Sequence, residues 1–272
     1  LRIESEGESR TVPAWCAAKV RRGEKVSVGR LAGGLGLLAV SGGLSVPEIL
    51  GSRSTYVRAH LGGLEGRALK AGDGLPLGNQ GGAAPLALEQ PPEEERGPIR
   101  LIPGPQEDHF AQGALARLLE GPYRVTDQVD RMGMRLDGPE LEHRTPELAQ
   151  IASDGIVPGA IQVPGSGQPI VLLADGQTVG GYPKIGTVIA ADLPRLARTA
   201  PGTELHFAET TVAEAQSLLR QHRERLARLL DGARPASLVS GIDLRRLYES
   251  NLISGVVDVT GPDHFPGSLG TP

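Results

Sequence analysis

The sequence predicts a mainly β chain with flanking helices, arranged as two β-rich units. Three observations carry this. The 38 Gly and 22 Pro have no collagen-like period and punctuate short apolar runs, as turns between strands do. Segments such as Lys25–Arg30 (KVSVGR) alternate apolar and polar residues, the pattern of a half-buried strand. The run at 151–193 packs strand-length apolar segments between Gly/Pro turns more densely than any other part of the chain. It also gathers Asp154, Gln162, Asp175, Gln177, Thr178, Tyr182 and Lys184, and reads as the wall and rim of a small β-barrel site.

Bulk properties exclude several classes. The balance of 28 basic against 32 acidic residues argues against a basic surface that tracks phosphates. Aromatics at 3 % argue against base-stacking platforms. The lone Cys16 cannot form an internal disulfide and suits a reducing cytoplasm. No run reaches the ~20 apolar residues of a membrane helix. The chain opens at Leu1 inside what reads as a strand, so a preceding segment is expected.

Taken in order, 1–78 forms an N-terminal β-rich unit, expected to be incomplete. Arg2–Glu4, Lys25–Val28 and Leu35–Val40 are its strands, the last continuous and expected to be buried. Gly34, Gly36 and Ala39 match a loose dinucleotide pattern, but that fingerprint needs a strand before it and a helix starting inside it, whereas here the match is itself the strand and Pro47 follows. ALKAGDGLPLG suggests two strands about an Asp73-Gly74 turn. Ser52 and Arg53 are either surface residues or the lining of a pocket for an anionic group, since Arg suits bidentate carboxylate contacts. Residues 79–98, rich in Pro, Gly, Gln and Glu, are expected to be a linker.

The second unit spans 99–232. A strand at IRLIP ends in Pro103-Gly104-Pro105, and a helix is expected over Gln106–Glu120, with acidic residues in its first turn and Gly121 beyond its end. Strand, turn and strand follow over 123–138, turning at Asp130–Gly133. GAIQVPG is a strand with Gln162 on the face opposite Ile161 and Val163. Buried strands are expected at Gln168–Ala174 and Lys184–Ala191, with Lys184 at the mouth of the second. After a short helix at PRLAR and a strand at TELHFAE, the capping box Thr211–Glu214 opens a long helix. Its apolar stripe, Val212 to Leu230, has helical spacing, and its Arg220, Arg223, Arg225 and Arg228 face is expected to be solvated. The tail, 233–272, holds a short helix at Ile242–Glu249 and an apolar piece, LISGVVDV.

No His or Cys spacing suggests a metal site, and Ser166 lacks a G-x-S-x-G elbow. Gly176 and Gly181 have the separation of a P-loop, but Tyr182 stands where its Lys should be and Pro183 bars the helix that must follow. What remains is GQTVGGYPKIG. Its glycines allow close backbone approach, and Gln177, Thr178, Tyr182 and Lys184 supply donors suited to a small amide or carboxylate. A tight structural turn with an exposed Lys fits the same residues.

At 51–78 and 153–198 the chain closely resembles the family that supplies the C subunit of bacterial 5-oxoprolinase. That family is also called allophanate hydrolase subunit 2, the KipA-type proteins or the biotin-dependent carboxyltransferase family. The motifs are GSRSTYVRAHLGGLEGRALKAGDGLPLG and SDGIVPGAIQVPGSGQPIVLLADGQTVGGYPKIGTVIAADLPRLAR. Family members usually begin with a further T-V-Q-D-x-G-R-x-G-type segment. The resemblance implies a cyclophilin-like β-barrel, work in a complex with KipI-type and LamB/YcsF-type partner subunits, and ATP-dependent opening of 5-oxo-L-proline to L-glutamate. The chain on its own is expected to be inactive. Related domains in urea amidolyase move a carboxyl group from carboxybiotin to urea, so biotin is the cofactor under that alternative; neither Met132 nor Met134 precedes a Lys, so no biotin-accepting site is present. A KipA-type regulatory binding role is the third reading. Both chemistries act on an amide whose oxygen gains negative charge. Lys184, Thr178 and Gln177 are therefore expected to donate to it, Gln162, Asp154 and Tyr182 to orient the amide, and Arg53 with Ser52 to hold a carboxylate or shape a partner interface.

Overall fold

A computed structural model describes residues 1–31, 35–79, 84–88, 92–93 and 95–236. At the N-terminus, β1 (Arg2–Ser5) pairs antiparallel with both β2 (Glu8–Thr11) and β3 (Lys25–Ser27). β4 (Leu86–Ala87) is also bridged to Cys16.

An eight-stranded sheet dominates the rest of the chain. Its strands are β5 (Ile99–Pro103), β6 (Tyr123–Val129), β7 (Gly133–Asp137), β9 (Ala160–Gln162), β10 (Ile170–Leu172), β12 (Lys184–Val188), β13 (Glu204–Leu205) and β14 (Phe207–Glu209). A two-stranded ribbon of β8 (Asp154–Gly155) and β11 (Val179–Gly180) is added at one end. The sheet order is β13-β6-β7-β10-β9-β12-β5-β14. Only His206 separates β13 from β14, so the two edges of the sheet are held next to each other and the sheet is a near-closed barrel. Closure removes the exposed edges that an open sheet would present. All pairings are antiparallel except β14 with β5.

Alternation fills the barrel. Tyr123 and Val125 of β6 are buried while Arg124 between them is exposed; Met134 and Leu136 of β7 are buried while Arg135 and Asp137 are exposed. They join Leu101, Ile161, Val171, Ile185 and Phe207 in one apolar cluster. Each such side chain stabilises the fold by about 1.5–3 kcal/mol on burial. The β6–β7 hairpin turns as expected on Asp130, whose carboxylate accepts from Met132 N at 2.8 Å and Gly133 N at 3.2 Å. It also pairs with Arg58 of the N-terminal part at 2.8 Å.

Several local expectations are corrected. The helix over Gln106–Glu120 is two pieces, a 3-10 turn at Glu107–His109 and α1 (Ala114–Glu120). Phe110 breaks it by turning extended, burying its ring and stacking on His143 at 5.1 Å; tertiary packing outweighs helix propensity there. The run Leu35–Val40 is irregular and exposed, with Leu37 at 95 %, and makes no strand pairing among the described residues. The half-buried β3 is exposed at Val26. No hairpin forms about Asp73-Gly74. Instead Asp73 N closes a turn on Lys70 O at 3.2 Å, Gly72 takes φ +89°, and Leu77 bridges to Leu44. Arg67 grips Asp73 at 2.7 and 2.9 Å and holds its carboxyl down at about 2.

Beyond the barrel lie α2 (Leu193–Ala197) and α3 (Val212–Asp231), the latter capped by Thr211 Oγ1 accepting from Glu214 N at 3.2 Å. The leucine stripe of α3 is not buried: none of its residues is, and Leu230 is 72 % exposed. Its Arg face is not wholly solvated either, since Arg225 pairs with Glu95. β15 (Arg234–Pro235) returns to pair with β4. Gly34, Ile242–Glu249 and LISGVVDV lie outside the described residues.

Candidate functional site

The site grows from the register of two strands. β12 runs antiparallel to β9 and sets Lys184 opposite Gln162, and a bulge between Lys184 and Gly186 shifts the ladder at that point. Such bulges re-aim the side chains beside them. The β8–β11 ribbon then folds across this end: Asp154 lies opposite Gly180, Ile156 N donates to Thr178 O at 2.9 Å, and Ile151 N donates to Gly181 O at 2.8 Å.

The result is an asymmetric ion pair. Lys184 Nζ donates to Asp154 Oδ2 at 2.5 Å and to Gly155 O at 3.2 Å. The lysine side chain is only 7 % exposed, whereas that of Asp154 is 53 % exposed. Lys184 is therefore not an exposed residue at the strand mouth: its ammonium lies beneath a carboxylate that faces outward. The Asp154 carboxyl is held below the usual carboxylate range, first by the Lys184 hydrogen bond, then by Gly155 N–H and the Lys184 charge, with a further hydrogen bond from Gln106. An ammonium has three N–H donors, so one remains beyond these two acceptors.

Two carboxamides flank the pair. Gln162 is 1 % exposed although it lies on a barrel strand, and its neighbours Ile161 and Val163 enter the apolar core. Its Nε2 donates to Tyr182 O at 3.4 Å, and its Oε1 accepts from Gln177 Nε2 at 3.4 Å. Both bonds are long and therefore weak. Gly180 permits the loop to lie on Gln162: a Cβ there would sit 3.0 Å from Gln162 Nε2 and 2.5 Å from Ile156 Cδ1. Gln177, Thr178 and Tyr182 are exposed at the rim.

Ser52 and Arg53 are not gathered here. Arg53 donates to Val46 O at 3.3 Å, pairs with Glu48 at 3.3 Å, and lines a cavity of about 530 Å³ with Gly42, Gly43, Ser54 and Gly78. Ser52 lines a second cavity of about 320 Å³ with Thr55 and Tyr56, which Arg131 and Asp175 of the barrel complete. Asp175 pairs with Arg131 at 2.7 Å. Neither cavity adjoins the Lys184–Asp154 pair, so convergent donors rather than cavity size pick out the site. Gln106 is the site residue that the sequence reading missed, having been placed in a helix. Its signal lay in Pro103-Gly104-Pro105: a strand antiparallel to β12 and ending there delivers the next residue to Lys184, once the pairing is known. Among the described residues, no three His, Cys, Asp or Glu are grouped to hold a metal ion, and no helix is long and apolar enough to cross a membrane.

This barrel is that of a carboxyltransferase domain. Residues 2–209 match the family model described as "Carboxyltransferase domain, subdomain A and B", and the chain belongs to that family. Among curated relatives, the 5-oxoprolinase C subunit of Escherichia coli K12 is 38 % identical over 207 residues, covering 76 % of this chain and 66 % of the relative. The protein of the same name from Haemophilus influenzae is 36 % identical over 234 residues, covering 82 % and 73 %. Among solved structures, the K. lactis urea amidolyase superposes with a TM-score of 0.72 at 24 % identity, covering 84 % of this chain and 15 % of that one; this shows the shared fold.

Proposed function

We propose that this chain works within an ATP-dependent 5-oxoprolinase complex that opens 5-oxo-L-proline to L-glutamate. The supporting observation is the Lys184–Asp154 pair with its two flanking carboxamides, in a chain 36–38 % identical to proteins named as the C subunit of 5-oxoprolinase. In this reading the lactam carbonyl lies over Lys184, whose remaining N–H, together with Gln177 and Thr178, takes the charge that develops on oxygen. Asp154 and Gln162 orient the amide, with Tyr182 at the rim. Water oxygen bonds to the carbonyl carbon, the C–N bond breaks, and the ring nitrogen leaves as the amine with a proton from that water while the carbonyl becomes the new carboxylate. ATP hydrolysis in the complex drives the opening. The donor set of this site is no phosphate cradle, so no ATP contact is assigned to this chain. Arg53, already tied to Glu48, and Ser52 are assigned to the surface that meets a partner. The partners are a KipI-type protein and a LamB/YcsF-type protein in the cytoplasm, and the chain alone is inactive.

The test is reconstitution with those partners, 5-oxoproline and ATP. Glutamate release that depends on this chain supports the reading. A second reading is favoured by the family description itself: transfer of a carboxyl group from carboxybiotin to urea or another small amide. Biotin, when bound, would supply the carboxyl group, and the same donors would hold the acceptor amide. Carboxyl transfer to urea without glutamate release would replace the first reading with the second.

A further inference from the structure

The turn after β5 is clamped onto the backbone of Lys184. Gly104 N donates to Ile185 O at 2.9 Å, and a Cβ on Gly104 would sit 2.0 Å from Lys184 O. No side chain fits between the two segments, so Gln106, two residues on, is delivered to the bulge. There Lys184 N donates to Gln106 Oε1 at 3.1 Å. With its oxygen held by this backbone donor, the carboxamide still has both N–H groups of its NH₂ to donate. That NH₂ is the group which can bond a carboxylate, and Gln106 is among the groups that hold the Asp154 carboxyl below its usual range.

We propose that Gln106 is a positioning residue whose side-chain amide ties the Lys184 backbone, through Oε1, to the Asp154 carboxylate, through Nε2. The tie fixes both ends of the ion pair at the bulge. The lysine cannot slide along β12 without losing its amide acceptor, and the carboxylate cannot swing outward without losing a donor. Half-buried itself, Gln106 acts through the pair rather than on the substrate. The charged group facing Asp154 is Lys184, from β12. The catalytic weight of the tie rests on the reading proposed above; the tie itself does not.

The test compares the chain with Gln106→Glu and Gln106→Met. Gln106→Glu keeps an oxygen acceptor for Lys184 N but sets a like charge against Asp154. Gln106→Met keeps the length and removes both bonds. The chain is labelled with ¹³C at aspartate carboxyls, and Asp154 is assigned by its loss in Asp154→Asn. The expected result is an upward move of the Asp154 titration in both variants, larger in Gln106→Glu. An unchanged Asp154 titration in both, whatever happens to melting temperature, overturns the proposal. In the reconstituted complex Gln106→Met should lower kcat roughly tenfold, with little change in KM, as slight misplacement of a reacting group does. If the wild-type complex releases no glutamate while the titration still moves, the functional reading fails and the tie stands.

Discussion

Replacing Lys184 with methionine removes one ammonium group and little else. The side chain is 7 % exposed, so the new thioether lies where the lysine stem already lies. Asp154 loses its cation but is 53 % exposed, so water takes over its solvation. Removing one partner of an ion pair is strongly destabilising where the charge left behind is buried, and here the remaining carboxylate is solvated. A change of 1 kcal/mol moves the melting temperature of a chain of this size by about 2–4 °C, and a shift no larger than that is expected. Catalysis should respond differently. Two of the three ammonium donors are committed to Asp154 and Gly155, and the third is the one available to a substrate oxygen. Losing one oxyanion donor costs about 10²–10³ in kcat. The assay is glutamate release by the reconstituted complex, with melting followed in parallel. A folded Lys184→Met variant with near-normal turnover would refute the role of Lys184 at the reacting carbonyl.

Further predictions concern the frame. Gly104→Ala should weaken both fold and activity, because its Cβ would meet Lys184 O at 2.0 Å and must push β5 from β12; unchanged melting and turnover would contradict the clamp. Leu118→Ala, at a position with 0 % exposure, should cost about 2–5 kcal/mol in urea unfolding, without altering the Asp154 titration. His143 is stacked on Phe110 and burial pushes its pKa below the ordinary 6.5. The unfolded chain therefore binds the proton more readily, so this stabilisation is present above about pH 6.5 and is lost as pH falls through the folded value. Melting temperature should fall more steeply between pH 7.5 and 5.5 in the wild type than in His143→Phe, with equal slopes counting against the argument.

Much of the barrel was legible in the chain. Two strand-length segments about Asp130–Gly133 marked β6, β7 and their turn, and short apolar segments between Gly/Pro turns marked β9, β10 and β12, because each depends on residues close in sequence. The same local logic failed at Phe110 and at Leu35–Val40. A partner ring decides the first, and the lack of a sheet partner among the described residues decides the second. Of the candidate site, the loop residues Gln177, Thr178, Tyr182 and Lys184 were visible as a Gly-framed polar cluster, but the burial of Lys184 was not.

The sequence by itself determined the principal barrel strands, the hairpin turn at Asp130, and that polar donors cluster near 154–184. Only the tertiary structure decided which of those donors meet. Strand order brings β5, β9 and β12 side by side across more than sixty residues of chain, and the bulge at Lys184 aims the ammonium at Asp154. Gln106 joins the pair and Arg53 does not, because pairing register, unlike periodicity, depends on contacts between residues far apart in sequence.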